Sequence, residues 1–274
     1  MLIALESLVA SADSVVLVEV TAAKGSTPRT AGTWMLVSAT ERAGTIGGGQ
    51  LEFAAIDKAR QMLRSGGEAM TLDIPLGPEI GQCCGGFVSL SLKRLDERSR
   101  DEVRRRLNAE TAQRPHVYIF GAGHVGLALS TTMRLLPVRV ILVDTRGDAL
   151  ADAEPGIETR LTPVPEAMVR KAPAGSAVVV MTHEHSLDFL ITGEALSRGD
   201  LCYVGMIGSK TKKASFRSWF REDGGNEAAF AGLVCPIGGH KVRDKRPTII
   251  AAMAAAEILE RIFAEISAEA SAGP

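Results

Sequence analysis

The sequence predicts an α/β protein with a small N-terminal α/β domain, a Rossmann-like domain built on a doubly wound parallel sheet, and a C-terminal helix. Two observations carry this prediction. Within residues 115–235, short buried strands alternate with helical patterns, which is typical of a parallel sheet. The segment Gly121–Gly126 has the Gly-x-Gly-x-x-Gly pattern between a predicted strand and a predicted helix. A chain of 274 residues has room for two domains with a buried core in each.

The N-terminal domain is expected to span residues 1–95. Three buried strands are predicted within it, namely Val15–Val20, Trp34–Val37 and Phe87–Leu92. A helix is predicted from about Gln50 to Arg64, because apolar residues recur along one of its faces. This helix begins directly after Gly47–Gly49, so free backbone N–H groups at its N-terminus would favour an anionic group.

Two further segments complete the predicted organisation. Residues 96–114 are dense in arginine and in acidic residues, and they are predicted to be a charged linker between the domains. Residues 236–274 are predicted to form a loop and the C-terminal helix, with Pro247 in the first turn of that helix. The apolar stripe of the helix is expected to cover a core rather than to bind a membrane or a partner.

The composition limits the classes of function. Lysine and arginine total 31 against 32 acidic residues, a net charge of −1, so no basic field attracts nucleic acid. The longest apolar run, Ile249–Ala256, is far shorter than the roughly 20 residues that span a bilayer. No basic segment precedes the apolar start, and four cysteines without a Cys-x-x-Cys pair do not make a disulfide framework. We therefore expect a cytoplasmic protein with reduced thiols and no nucleic-acid or membrane partner.

Adjacent cysteines in the segment Gly81–Gly86 are the strongest indication of a site. Cys83 and Cys84 lie between glycines, and two neighbouring sulfurs offer soft ligands within one small volume. The alternative is that both are small buried hydrophobic residues before a strand, which is the commoner role of cysteine. A second glycine-rich segment in the same domain, Gly44–Glu52, favours a site.

The second domain carries its own candidate residues. Asp144 ends a predicted strand eighteen residues after Gly126, a spacing that suits an acidic residue for a ribose 2′-hydroxyl. His183 and His185 follow another predicted strand, where doubly wound sheets bind ligands, and a polar pocket contact is expected there rather than a metal site. The sequence has no Gly-x-Ser-x-Gly elbow and no Walker lysine, so nucleophilic catalysis is not expected.

Seven segments, in their order and spacing, resemble the xanthine dehydrogenase accessory protein family (XdhC, related to CoxI) along almost the full chain. They are Gly25–Arg29, Gly44–Glu52, Gly81–Gly86, Gly121–Gly126, Met181–His185, Tyr203–Lys210 and Cys235–Gly238. The doubled cysteine, together with Asp244–Pro247, is more similar to the xanthine dehydrogenase branch than to the carbon-monoxide dehydrogenase branch.

The resemblance implies a dedicated chaperone rather than an enzyme. Proteins of this family bind the molybdenum cofactor, protect it while a cysteine desulfurase replaces an oxo ligand by sulfur, and transfer it to apo-xanthine dehydrogenase. The implied partners are the cofactor-binding subunit of xanthine dehydrogenase, a cysteine desulfurase and the proteins of cofactor synthesis. A homodimer is the default expectation for the oligomeric state.

The resemblance, together with the glycine pattern of the second domain, also implies the residues of the site. The expected cofactor-binding residues are Arg29, Gly47, Gly48, Gly49, Glu52, Cys83, Cys84, Gly85, Gly86, Gly121, Gly123, Gly126, Asp144, His183, His185 and Cys235. The two adjacent cysteines are in addition the expected ligands of molybdenum, through the cofactor.

Two other functions stay open at this stage. In the first, the chain is an NAD(P)-dependent oxidoreductase of Rossmann type that uses Gly121–Gly126 and Asp144. No acid–base pair is recognisable near a nicotinamide position in the sequence, and this function leaves Gly81–Gly86 unexplained. In the second, the Rossmann half is a regulatory or docking module that binds NAD(P) or another nucleotide without turnover. Titration with NAD(P)H distinguishes the two.

Overall fold

The computed structural model describes residues 2–11, 14–76, 85–239, 242 and 244–271. The chain divides into two compact units, Met1–Ala112 and Gln113–Pro274. The first unit contains an antiparallel sheet and the second a parallel sheet, which confirms the predicted α/β fold. Among the described residues, no helix combines the length and apolar content that a membrane-spanning segment needs.

The first unit is a five-stranded antiparallel sheet with helices on both faces. In chain order its elements are α1 (Leu2–Ala10), β1 (Val16–Lys24), β2 (Trp34–Val37), β3 (Arg42–Gly44), α2 (Gly49–Ser65), β4 (Ala69–Leu76), β5 (Gly86–Arg94) and α3 (Glu97–Ala112). The strands are arranged in the order β3-β2-β1-β5-β4. The predicted strands correspond to β1, β2 and β5, and the predicted helix to α2; α1, β3 and β4 were not predicted.

Strand β2 shows how this sheet is covered on both sides. Met35 and Val37 pack in the core that includes the apolar face of α2. Trp34 and Leu36, which alternate with them, pack in a second core with residues of α1 and α3. All four side chains are buried, as alternation along a strand between two apolar layers requires.

The charged segment 96–114 differs from the expected linker. Most of it is the helix α3, whose Val103 and Leu107 are buried one turn apart against the first unit. The division between the units falls after Ala112, so α3 belongs to the first unit. Its charged residues lie on the solvent side, and their density in the sequence obscures the narrow apolar stripe.

The second unit is a six-stranded parallel sheet with helices on both faces. In chain order its elements are β6 (His116–Phe120), α4 (His124–Met133), β7 (Arg139–Asp144), α5 (Gly147–Ala151), β8 (Glu158–Leu161), α6 (Glu166–Lys171), β9 (Ala177–Val180), α7 (His185–Arg198), β10 (Tyr203–Met206), α8 (Lys210–Glu222), α9 (Glu227–Ala231), β11 (Leu233–Val234) and α10 (Pro247–Ser271). The strand order β11-β10-β9-β6-β7-β8 is that of a doubly wound Rossmann sheet.

The two cores of this unit lie on opposite faces of the sheet. Val117 and Ile119 of β6 pack on one face, and Tyr118 and Phe120 pack on the other. Helix α10 packs against α4 on the first of these faces, where Ile258 and Ile262 are buried. The strand order reverses between β6 and β9, and in open parallel sheets ligands bind beyond the carboxyl ends of the strands at this position.

Candidate functional site

The glycine-rich loop of the first unit is closed around the carboxylate of Glu52. Its Oε2 accepts hydrogen bonds from the Thr45 hydroxyl at 2.5 Å, from the Gly48 N–H at 3.1 Å and from the Ile46 N–H at 3.2 Å. Its Oε1 forms an ion pair with Arg42. The expectation of free N–H groups before α2 therefore needs a correction, because Glu52 of the first helical turn already accepts two of them.

The hydrogen bonds to Glu52 also determine its charge. Burial alone would raise the pKa of this carboxyl, but the bonds from Thr45, Gly48 and Ile46, with the charge of Arg42, outweigh burial and lower the pKa below its usual value. The side chain is therefore an anion at neutral pH. It acts as an internal ligand at the N-terminus of α2, where helices favour negative charge.

Two motif loops of the first unit lie at the end of its sheet where β5 begins. Because neighbouring strands run antiparallel, the segments after β1 and after β3 both lie at that end. Gly47 lies so close to Pro28 that a Cβ atom built on the glycine would be 2.6 Å from the Pro28 Cγ and 3.6 Å from the Arg29 Cγ. Arg29 itself is exposed. The segment Gly25–Arg29 thus contacts the glycine-rich loop directly.

The same segment also contacts the start of β5. Ser26 forms an isolated bridge with Gly85, and a Cβ atom on Gly86 would lie 2.3 Å from the Ser26 carbonyl oxygen. Gly86 is therefore required by close backbone packing, whereas a Cβ atom on Gly85 would meet none of the described residues within 4 Å. Cys83 and Cys84 lie outside the described residues; they belong to the segment between β4 and β5.

The glycine turn of the second unit lies at the switch point of the parallel sheet. A Cβ atom on Gly126 would lie 1.8 Å from the Gly121 carbonyl oxygen, and one on Gly121 would lie 2.3 Å from the Met181 carbonyl oxygen. These two glycines let α4 and β9 approach the turn. Within the described part of the chain, a Cβ atom on Gly123 would meet no atom within 4 Å, so the space in front of this residue is open to a ligand.

Asp144, at the end of β7, is bonded to the turn and to Arg146. It accepts the Ala122 N–H at 2.7 Å, the Arg146 N–H at 2.9 Å, and the Arg146 guanidinium through Nε at 3.1 Å and Nη2 at 3.2 Å. Burial raises the pKa of the Asp144 carboxyl, but these donors outweigh burial and lower it. The carboxylate expected to bind a ribose thus positions the glycine turn and an arginine.

An ion pair that the sequence did not indicate lies at the carboxyl ends of β9 and β10. Asp188 is fully buried; its Oδ1 accepts the Thr182 N–H at 2.8 Å and the Thr182 hydroxyl at 2.7 Å. Its Oδ2 pairs with the ammonium of Lys212, which also donates to the Ile207 carbonyl at 3.0 Å. The two residues are 24 positions apart, on α7 and α8, and no spacing rule connects them.

The remaining candidates of the second unit differ in exposure. His183 and His185 are exposed where β9 leads into α7. Cys235 follows β11 and is buried, and burial raises the pKa of its thiol, so the thiol stays protonated at neutral pH. Within the described ranges, no three histidine, cysteine or acidic side chains are grouped as a metal site would need.

Comparison with known proteins places the chain in a family. The family model of the XdhC Rossmann domain matches residues 117–258, and the model of the XdhC and CoxI family matches residues 8–74. The chain belongs to the XdhC and CoxI family. This membership confirms the family resemblance that the sequence indicated.

Two similar proteins extend the comparison. The uncharacterized protein YqeB of Escherichia coli K12 is 24% identical over 265 residues, which cover 89% of this chain and 43% of YqeB. The chain thus spans less than half the length of this relative. A solved structure from Bacillus halodurans, described as a xanthine dehydrogenase (BH1974), has a TM-score of 0.76 and 19% identity and covers 96% of each chain. At that identity the likeness shows a shared fold.

Proposed function

We propose that this protein is an accessory factor for the maturation of xanthine dehydrogenase that binds the molybdenum cofactor in its first unit. It holds the cofactor while a cysteine desulfurase introduces sulfur, and it transfers the cofactor to the cofactor-binding subunit of the dehydrogenase. The observation that carries the proposal is the contact of the Gly25–Arg29 segment with both the glycine-rich loop and the start of β5, at one end of the first sheet. Membership of the XdhC and CoxI family supports an accessory role.

The described residues at this end fit an anionic ligand. The exposed guanidinium of Arg29 is suited to a phosphate group, and it lies beside the glycine-rich loop. At Gly48 and Gly85 a Cβ atom would meet no atom of the described residues within 4 Å, which suits the approach of a planar pterin to the backbone there. Glu52 supports this site by holding the loop in shape. Cys83 and Cys84 would supply the soft donors that a molybdenum dithiolene centre prefers.

The protein's own contribution is to bind, orient and protect. When bound, the cofactor supplies the molybdenum centre whose oxo ligand is exchanged for sulfur. The exposed guanidinium of Arg29 orients the phosphate end of the pterin, and the glycines permit close approach. This role suits the cytoplasm, where thiols stay reduced, and it requires transient contact with the desulfurase and the proteins of cofactor synthesis. A homodimer remains the expected assembly.

Detection of the pterin tests this proposal. The protein is isolated gently from molybdate-fed cells, and its cofactor is converted by acid oxidation to a fluorescent pterin. A near-stoichiometric yield is expected. If neither the isolated protein nor protein incubated with free cofactor contains pterin, the proposal is wrong.

Serine variants of the adjacent cysteines test the metal contact. Cys83→Ser and Cys84→Ser replace a soft donor by a hard one, so cofactor affinity and activation of the dehydrogenase should both fall while the melting temperature changes little. Cys202→Ser is the control, because this half-buried thiol packs against the core of the second unit and its loss should cost stability instead. Equal cofactor affinity in both loop variants and the parent would contradict a thiol contact.

A second candidate function, an NAD(P)-dependent oxidoreductase, is favoured by the buried pair of Asp188 and Lys212. This pair lies at the carboxyl ends of β9 and β10, the half of a Rossmann sheet where a nicotinamide ring would bind. Lys212 is, however, only 11% exposed and bonded on two sides, which suits a structural brace better than proton transfer. Turnover of NAD(P)H with small alcohols, aldehydes or hydroxy acids would reverse this ranking.

A further inference from the structure

The carboxyl ends of β7 and β8 carry features that the proposed role of the first unit does not use. The first is the saturation of Asp144. A carboxylate has about four lone-pair positions, and the Ala122 N–H, the Arg146 N–H and two guanidinium N–H groups of Arg146 already bond to it. A ribose diol would have to displace Arg146 before Asp144 could bind it.

The second feature is the orientation of Arg146. Its Nε and Nη2 point to Asp144, which fixes the plane of the guanidinium. Among the described residues the Nη1 group has no hydrogen-bond partner, and the side chain is 39% exposed. A guanidinium fixed on one edge by a carboxylate presents its other edge as a preorganised donor pair, the geometry that binds phosphate bidentately.

The third feature is an exposed apolar surface beside this arginine. Leu161 ends β8 with 63% of its surface exposed, and Val164 follows with 43% exposed. The Leu161 Cδ2 atom lies 3.6 Å from the position of a Cβ on Gly147, the residue after Arg146. Strand β8 pairs with β7 there through Asp144 and Leu161. An aliphatic surface next to a planar guanidinium suits an adenine ring.

From these features we infer that the second unit binds the 2′-phosphoadenosine end of NADP(H) and prefers it to NAD(H). Arg146 binds the 2′-phosphate, Leu161 and Val164 contact the adenine, and the pyrophosphate lies in front of Gly123, where the backbone is open. Asp144 acts as a positioning residue that orients Arg146 and the glycine turn. The inference is independent of the molybdenum cofactor and would stand if the proposed function failed.

One acidic group opposes the phosphate. Asp148, in α5, interacts electrostatically with Arg146 and is exposed to solvent. Water and salt screen an exposed carboxylate, so it weakens binding of a dianion without preventing it. The expected consequence is specific: Asp148→Asn should tighten NADPH by a few-fold and leave NADH nearly unchanged.

Calorimetric titration of the full chain with NADPH, NADH, 2′,5′-ADP and 5′-AMP tests the inference. The parent should bind NADPH about tenfold or more tightly than NADH, and 2′,5′-ADP more tightly than 5′-AMP, which lacks only the 2′-phosphate. Arg146→Met should weaken the two 2′-phosphorylated ligands about tenfold and leave the other two nearly unchanged. Arg134→Met is the matched control, because Arg134 lies beyond the opposite end of α4, where its guanidinium donates to the Pro155 carbonyl at 2.9 Å.

Melting curves show that each variant is folded before its affinity is compared. The inference is overturned if the parent binds NADH as tightly as NADPH, or if it binds neither nucleotide. It is also overturned if Arg134→Met loses as much NADPH affinity as Arg146→Met, or if Arg146→Met weakens NADH and NADPH equally. The ligand 2′,5′-ADP contains no nicotinamide. If the parent also binds it more tightly than the adenosine ligand without a 2′-phosphate, the preference for NADPH is assigned to the adenosine end of the nucleotide.

Discussion

The glycine loop of the first unit and the glycine turn of the second unit are both held by a buried carboxylate, but the carboxylates reach them from different places. Glu52 lies in the helix that the loop itself begins, four positions after the Gly48 N–H that it accepts. Asp144 lies on a neighbouring strand, 22 positions after the Ala122 N–H that it accepts. The first loop is therefore stabilised locally, and the second through the sheet.

This difference predicts which residues each loop depends on. In the loop of the first unit, Glu52 accepts the Ile46 and Gly48 N–H groups and also the Thr45 hydroxyl, which in turn accepts the Gly47 N–H, so the shape of the loop depends on Glu52. The turn of the second unit has further support, because the Gly121 N–H donates to the Val143 carbonyl at 2.8 Å and the Gly126 Cα packs on the turn itself. We expect the stability of the first loop to depend on its carboxylate. The stability of the second should depend on its closely packed glycines, which larger residues cannot replace without a steric clash.

The largest effect is expected from Gly126→Ala. The added Cβ would lie 1.8 Å from a backbone oxygen, which cannot move without displacing β6 or α4. The cost should be about 3 kcal/mol or more in the free energy of unfolding, measured by urea denaturation. Gly123→Ala is the matched control. A loss below about 1 kcal/mol for Gly126→Ala would mean that the turn is not packed as described.

Next in size is the loss of Glu52. Glu52→Ala leaves the N–H groups of Ile46 and Gly48 without their acceptor, at an expected cost of about 2–3 kcal/mol. Asp144→Ala should cost less, about 1–2 kcal/mol, because the sheet still supports its turn. Urea denaturation compares both with Glu68→Ala, an exposed control. If Asp144→Ala is less stable than Glu52→Ala, the sheet does not support the second turn in the way described.

A smaller effect is expected from pH. The folded pKa of Glu52 lies below its unfolded value of about 4.3, so its stabilisation is complete above that pH and is lost as the pH falls through the folded pKa. The difference in unfolding free energy between the parent and Glu52→Gln should therefore shrink on acidification below about pH 4. Urea midpoints at several pH values measure it. A difference that grows on acidification would contradict a lowered pKa.

The smallest effect on stability is expected from Gly123→Val, at most about 1 kcal/mol, because no protein atom lies within 4 Å of the added Cβ. Nucleotide affinity should nevertheless be lost, since the side chain fills the space in front of the turn. Melting temperature and nucleotide titration separate the two properties. A variant that melts like the parent and still binds nucleotide would show that the ligand does not approach this residue.

Much of the fold was predictable because apolar runs coincide with its buried strands and glycines mark the turns between its elements. The buried strands β2 and β9 are continuous apolar segments, and the glycine pattern lies between β6 and α4 as expected. Strand β4 was missed because it lies at the edge of the sheet, where its polar residues face solvent and Pro75 lowers its strand signal. Helix α3 was missed because only Val103 and Leu107 report its buried side.

The orientation of the candidate side chains was not predictable from the sequence. Glu52 and Asp144 were identified from motifs, yet both carboxylates bond to their own loops rather than extend toward a ligand. Their direction depends on which N–H groups the folded chain brings within reach. The pair of Asp188 and Lys212 was not predicted, because it forms only when α7 and α8 pack side by side.

Paired titrations test most directly the central claim that each glycine loop serves its own ligand. Arg29→Met and Gly123→Val are titrated in parallel with the molybdenum cofactor and with NADPH. Each variant is expected to lose affinity for one ligand: Arg29→Met weakens binding of the molybdenum cofactor alone, and Gly123→Val weakens binding of NADPH alone. If either variant loses both ligands while it remains folded, or if the cofactor binds both variants as tightly as it binds the parent, the assignment of one ligand to each loop is contradicted.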